Sequence, residues 1–161
     1  MPVTTDIVAT YRGPRRVMRR LLDMGTREDR ALAILMAGCV VAFISQWPKL
    51  SREAYLTGQE LNPMLGGALM AWIVIAPPAL YAVALISQLI LLSLGARPTG
   101  FGTRLALFWA FLAASPLMLL NGLVAGFIGP GPALQSVGLI WVLVFGWFWI
   151  SNMREAGWGA R

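Results

Sequence analysis

The sequence predicts an all-α fold: a polytopic transmembrane helix bundle of four spans with an N-terminal interfacial amphipathic helix. Three observations predict it. From Leu61 to Ala96 no residue is charged, Glu60 and Arg97 closing the stretch on either side. Apolar residues make up 58% of the 161-residue chain and charged residues only 12%, against about 25% charged in soluble domains. The basic residues crowd the ends of the apolar runs, chiefly at alternate connections. Since a helix rises 1.5 Å per residue, a hydrocarbon core about 30 Å thick needs roughly 20 apolar residues, and each apolar run is read on that scale.

The organisation that follows is a cytoplasmic basic amphipathic segment over 1–30, a transmembrane domain over 31–151 and a cytoplasmic tail over 152–161. The spans are expected at about 31–47, 64–94, 105–127 and 133–151. In the first segment, Pro14 suits the opening turn of a helix. At 100° per residue Val17, Met18, Leu21, Leu22 and Met24 fall on one arc, with Arg16, Arg19, Arg20, Asp23 and Arg27 on the other. Such a helix lies in the membrane interface, and Arg12, Arg15, Arg16, Arg19, Arg20 and Arg27 are the candidates to contact anionic lipid, each contributing about 1 kcal/mol near such a surface. The alternative is a solvated basic flank without stable helix. A cleaved secretory signal is not expected, because the basic region is long and no small-residue cleavage pattern follows the apolar run.

The first span ends at Trp47, an interfacial anchor, and Gly38 with Ala42 forms a small-xxx-small packing face. Cys39, the single cysteine, reads as a small packing residue. Residues 48–63 return to polar sequence, either as an irregular loop or with a short helix capped by Ser51 and closed by Gly58. The long uncharged stretch reads as one tilted helix kinked at Pro77 and Pro78. Splitting it there into a re-entrant piece and a span is the alternative. Gln88 reads as an interhelical hydrogen bond. Gly95 to Arg104 is a turn rich in glycine and proline. The third span carries a kink at Ser115-Pro116 and a Gly122-x-x-x-Gly126 motif, which suits close helix approach within the chain or between two copies. Gly66-Gly67-Ala68 reads the same way. Gly129-Pro130-Gly131-Pro132 breaks the chain before an aromatic-rich last span.

Orientation follows from basic residues in alternate connections. One side holds seven in the N-terminal segment, Arg97 and Arg104 in the turn, and Arg154 and Arg161 in the tail; the other holds only Lys49 and Arg52. By the positive-inside rule both termini are cytoplasmic.

No Asp, Glu, Lys, Arg or His falls inside the expected spans, so proton- and ion-coupled transport lack the groups that mark their pathways. The chain has no histidine and one cysteine, which excludes His triads and Cys/His metal clusters. Phosphate-loop and dinucleotide fingerprints are absent. The sequence therefore assigns no catalytic, cofactor-binding or metal-binding residue and no cofactor, and the protein is not expected to be an enzyme. The basic residues flank apolar spans instead of building a folded basic face, so nucleic acid is not an expected partner.

Taken together, Tyr11-Arg12-Gly13-Pro14 before a basic amphipathic segment, a long apolar region, Arg104 opening a helix with Ala113-Ala114-Ser115-Pro116, and a terminal aromatic span resemble the bacterial Yip-domain family of small polytopic membrane proteins. Of the acidic-Leu-Tyr-Gly-Pro motif carried by eukaryotic members, the Gly-Pro stands here, and four spans are counted where members usually have five. The resemblance implies membrane organisation, trafficking or assembly without catalysis, in a bacterial cytoplasmic (inner) membrane. An accessory subunit of a larger membrane complex, or a small transporter or lipid-moving protein, are the rival expectations. Partners are the bilayer and its anionic lipids, with other membrane proteins or a second copy as further candidates.

Overall fold

The computed structural model describes residues 2–159; Met1 of the basic segment and Ala160 and Arg161 of the tail lie outside the described residues. Every regular element among the described residues is helical. Helices α1 (Val3–Thr10) and α2 (Pro14–Asp23) form a short hairpin, with Pro14 in the first turn of α2, where no intrahelical donor is needed.

Helix α3 (Glu28–Thr57) is longer than the sequence implies. The expected end at Trp47 is overrun: the helix passes through Pro48 and stops at Gly58, whose left-handed φ of 71° favours glycine. Proline removes one backbone donor, and packing along a later helix outweighs that loss. The residues assigned to a loop or a separate short helix over 48–57 are thus the last turns of α3.

The long uncharged stretch forms one continuous helix, Leu61–Ser93, and not two pieces parted at the prolines. It comprises α4 (Leu61–Leu69), a π-helical stretch (Met70–Ile75) and α5 (Ala76–Ser93). Pro77 and Pro78 stand just beyond the π-helical stretch, where the Ala76 N–H bonds Ala71 O, five residues back. Widening one turn accommodates the missing donors, a common origin of helix distortion.

Helices α6 (Gly100–Ala113) and α7 (Ser115–Phe127) meet at a 42° bend at Ser115-Pro116. The Thr99 hydroxyl caps α6 by accepting from the Gly102 N–H at 2.9 Å. Helix α8 (Pro132–Trp158) runs well past the expected end at 151. What the sequence assigns to a tail is a helical end whose Asn152, Met153, Glu155 and Ala156 are buried, because α2 and α6 pack against it.

Three helices, Glu28–Thr57, Leu61–Ser93 and Pro132–Trp158, are long and apolar enough to cross a membrane, and the bent α6–α7 pair makes a fourth crossing if it is one span. The core lies around α6: from Phe101 to Ala113 only Arg104 is not buried, with α1, α2, α3, α5 and α8 as neighbours. Outward faces of α5 and α8 expose Leu85, Ile86, Leu89, Leu139, Val142 and Leu143, an apolar belt far larger than a water-soluble chain tolerates. The fold is an all-α membrane helix bundle.

The packing residues named from sequence lie inside the chain. A Cβ on Gly38 would fall 2.5 Å from the Phe111 ring, and Ala42 and Cys39 are fully buried. Gly122 and Gly126 face α3: added Cβ atoms would stand 1.9 Å from Ser45 O and 2.3 Å from Pro48 Cβ. A Cβ added at Gly66 or Gly67 would meet nothing within 4 Å, so these two glycines seat no neighbouring helix in the monomer.

Candidate functional site

The basic hairpin is where charge concentrates, and the apolar arc expected to enter the membrane interface is turned onto protein. Val17, Met18 and Leu21, the apolar arc of α2, are buried among α6 and α8. Protein, not acyl chain, covers that face, because α6 presents an apolar surface that α3, α5 and α8 leave open on this side. The burial of these residues stabilises docking by about 1.5–3 kcal/mol per large side chain.

Polar groups fix the register. Tyr11 donates its hydroxyl to Ala113 O at 2.8 Å and meets the Phe148 ring edge-on at 4.9 Å between centroids. Burial pushes the Tyr11 phenol above its ordinary value, which keeps it a donor. The Trp109 indole N–H donates to the Thr10 hydroxyl at 3.1 Å, and that hydroxyl donates to Asp6 O at 2.7 Å. Arg30, whose guanidinium carbon lies 5.9 Å from the Phe101 ring centre, donates to Leu21 O and Gly25 O and so ties α2 to the start of α3.

The six arginines named from sequence are not equivalent. Arg19 and Arg15 donate to Glu155 at 2.7 and 3.3 Å; that carboxylate is 2% exposed, while the two guanidinium side chains are more than half exposed. Arg20 pairs with Asp6. Arg27 pairs with Asp29 at 3.1 Å on an open surface, an arrangement that contributes little. Arg12 and Arg16 have no acidic partner among the described residues. With Arg20 they line a groove of about 510 Å³ between the two helices, whose opposite wall is Thr5, Val8 and Ala9. Arg12 and Arg16, four residues apart on one wall, suit an anion with several oxygens, since guanidinium binds such groups through paired N–H donors.

Sequence reasoning missed Glu155, Tyr11, Thr10 and Trp109 as the groups that hold the hairpin. The signal for Glu155 was the polar Asn152/Glu155 pair, three apart on the end of an otherwise apolar helix. No signal marked Tyr11 beyond its place before Arg12-Gly13-Pro14.

The bundle also sorts charge by end. Arg104 pairs with Glu28, the Arg97 N–H bonds Gly157 O, and Glu155 holds the hairpin, so the N-terminal segment, the 97–104 turn and the end of α8 gather together. Lys49 and Arg52 lie at the opposite end beside Pro130 and Leu134. No cluster of His, Cys, Asp and Glu able to hold a metal occurs among the described residues.

Fold and site together define a class: an apolar helix bundle with a basic hairpin docked at one end. Beyond the class, the chain matches no protein-family model, no curated protein and no solved structure.

Proposed function

We propose that the protein is a non-enzymatic membrane protein of Yip-like type, with an organising, trafficking or assembly role, whose docked hairpin holds anionic lipid headgroups. It sits in a bacterial cytoplasmic membrane with both termini in the cytoplasm. The observation that carries this reading is the division of labour among the arginines. Arg15 and Arg19 are occupied by Glu155, whereas Arg12 and Arg16 line an open groove without a carboxylate to neutralise them. The gathering of the basic connections at one end supports the orientation.

The test uses the full chain in nanodiscs of phosphatidylcholine with or without phosphatidylglycerol, with hydrogen exchange followed over residues 3–23. Anionic lipid is expected to slow exchange at least threefold in the wild type and to have no effect in the Arg12→Glu/Arg16→Glu variant. Equal slowing in both would overturn the reading.

A further inference from the structure

On the face turned away from the hairpin, α5 and α8 both pack on α6 and leave a groove of about 420 Å³ between them. Its walls are apolar: Ile90, Leu91 and Leu94 from α5, Ile150 and Met153 from α8. The turn after α5 closes one end, where Ala96 abuts Gly157 and the Arg97 N–H bonds Gly157 O at 3.3 Å. Arg154 and Trp158 stand at this closed end. Arg154 is exposed and has no acidic partner among the described residues; Glu155, its neighbour, is engaged with Arg15 and Arg19 on the hairpin side.

A second observation lies deeper. Trp149 also lines the groove, and its indole N–H is buried with no hydrogen-bond partner. A buried donor without an acceptor is costly. Trp149 precedes Arg154 by five residues, about 7.5 Å along the helix.

From these features we infer that the groove seats one anionic glycerophospholipid, its phosphate on Arg154 and an acyl chain along the α5–α8 walls. A guanidinium meets the phosphate, and the acyl chain continues along the apolar lining of Leu91, Ile90, Ile150 and Trp149. Trp158 takes the interfacial level at which tryptophan is enriched. No Asp or Glu lines the groove, so an ethanolamine ammonium finds no counter-charge, and a polyol headgroup such as glycerol is preferred. This site is distinct from the Arg12/Arg16 groove and holds whether or not that groove binds lipid.

The test photo-crosslinks the full chain in nanodiscs with phosphatidylglycerol carrying a diazirine in one acyl chain, and maps adducts by peptide mass spectrometry. Adducts are expected on residues 87–94 and 149–153, falling about fivefold in Arg154→Gln and recovering in Arg154→Lys. They should persist in Arg12→Gln/Arg16→Gln, which separates this site from the hairpin groove. The matching phosphatidylethanolamine probe should label these peptides several-fold less. Equal labelling by both probes, or unchanged labelling in Arg154→Gln, would overturn the inference. So would a dimer in which a second copy covers the groove and no lipid adduct forms there.

Discussion

The Tyr11 hydroxyl reaches Ala113 O at 2.8 Å, and the carbonyl it finds is one that the bend of the bundle releases. At the Ser115-Pro116 junction the Leu117 N–H bonds Ala114 O, so Ala113 O loses its usual donor four residues on. A side chain from the N-terminal hairpin supplies the replacement. One turn of broken helix and one docked hairpin thereby depend on each other.

Tyr11→Phe should therefore destabilise the bundle by about 1–3 kcal/mol, the cost of leaving a buried carbonyl unpaired, with the loss seen first as faster proteolysis within residues 3–23. Unfolding in mixed micelles measures the first and limited digestion the second. The pH dependence has a defined sign. Burial raises the phenol pKa in the folded state, so its contribution is fully present below the unfolded value of about 10 and declines as pH rises through the folded value. Tyr11→Phe should lack this alkaline decline.

Gly122→Ala and Gly126→Ala should each cost about 1–3 kcal/mol. Their added methyl groups would run into Ser45 O and Pro48, backbone and ring atoms that cannot rotate away. Gly66→Ala and Gly67→Ala, which meet open space, should be neutral or slightly stabilising. Thermal aggregation assays on the four variants in detergent compare them directly. A loss of stability in the Gly66 and Gly67 variants equal to that at Gly122 would contradict the assignment of the contact to α3.

Removing the two ends of the Glu155 pairing should give unequal results. Glu155→Gln leaves neutral groups inside and two arginines that are already largely hydrated, so hairpin exchange should rise only modestly. Arg15→Gln/Arg19→Gln leaves a carboxylate that is 2% exposed without its cations, and a stranded buried charge is the costlier outcome. Hydrogen exchange over 14–23 should therefore rise several-fold more in the double arginine variant.

Much of the bundle was legible because the bilayer imposes a coarse rule on composition: the absence of charge marks Leu61–Ala96, and Gly58 and Pro14 mark helix ends by backbone chemistry. The rest depended on tertiary contact. An amphipathic helix offers the same apolar arc to lipid or to protein, so Val17, Met18 and Leu21 could not reveal which one covers them. Pro48 reads as a terminator, yet α7, brought close by two glycines, carries α3 past it. Polar Asn152 and Glu155 look like the start of a tail, but α6 and the hairpin make a buried helical face of them, Asn152 donating to Ala106 O at 3.1 Å and Glu155 accepting from Arg15 and Arg19. Arg12 and Arg16 were legible as basic residues; their difference from Arg15 and Arg19 required knowing where Glu155 lies.

The dependence between the bend and the hairpin can be measured as a coupling. Pro116→Ala restores an N–H at position 116 and removes the ring that blocks helical continuation, so the junction can return the Leu117 N–H to Ala113 O. In that background Ala113 O no longer relies on the phenol, and Tyr11→Phe should cost only about 0.5–1 kcal/mol, the worth of an ordinary hydrogen bond. A double-mutant cycle on unfolding free energies should then give a coupling of about 1 kcal/mol between Tyr11 and Pro116, as expected for residues acting through one shared partner. Strict additivity would mean that the bend is held wholly by the packing of Gly122 and Gly126 on α3, with the Tyr11 hydrogen bond a bystander to it.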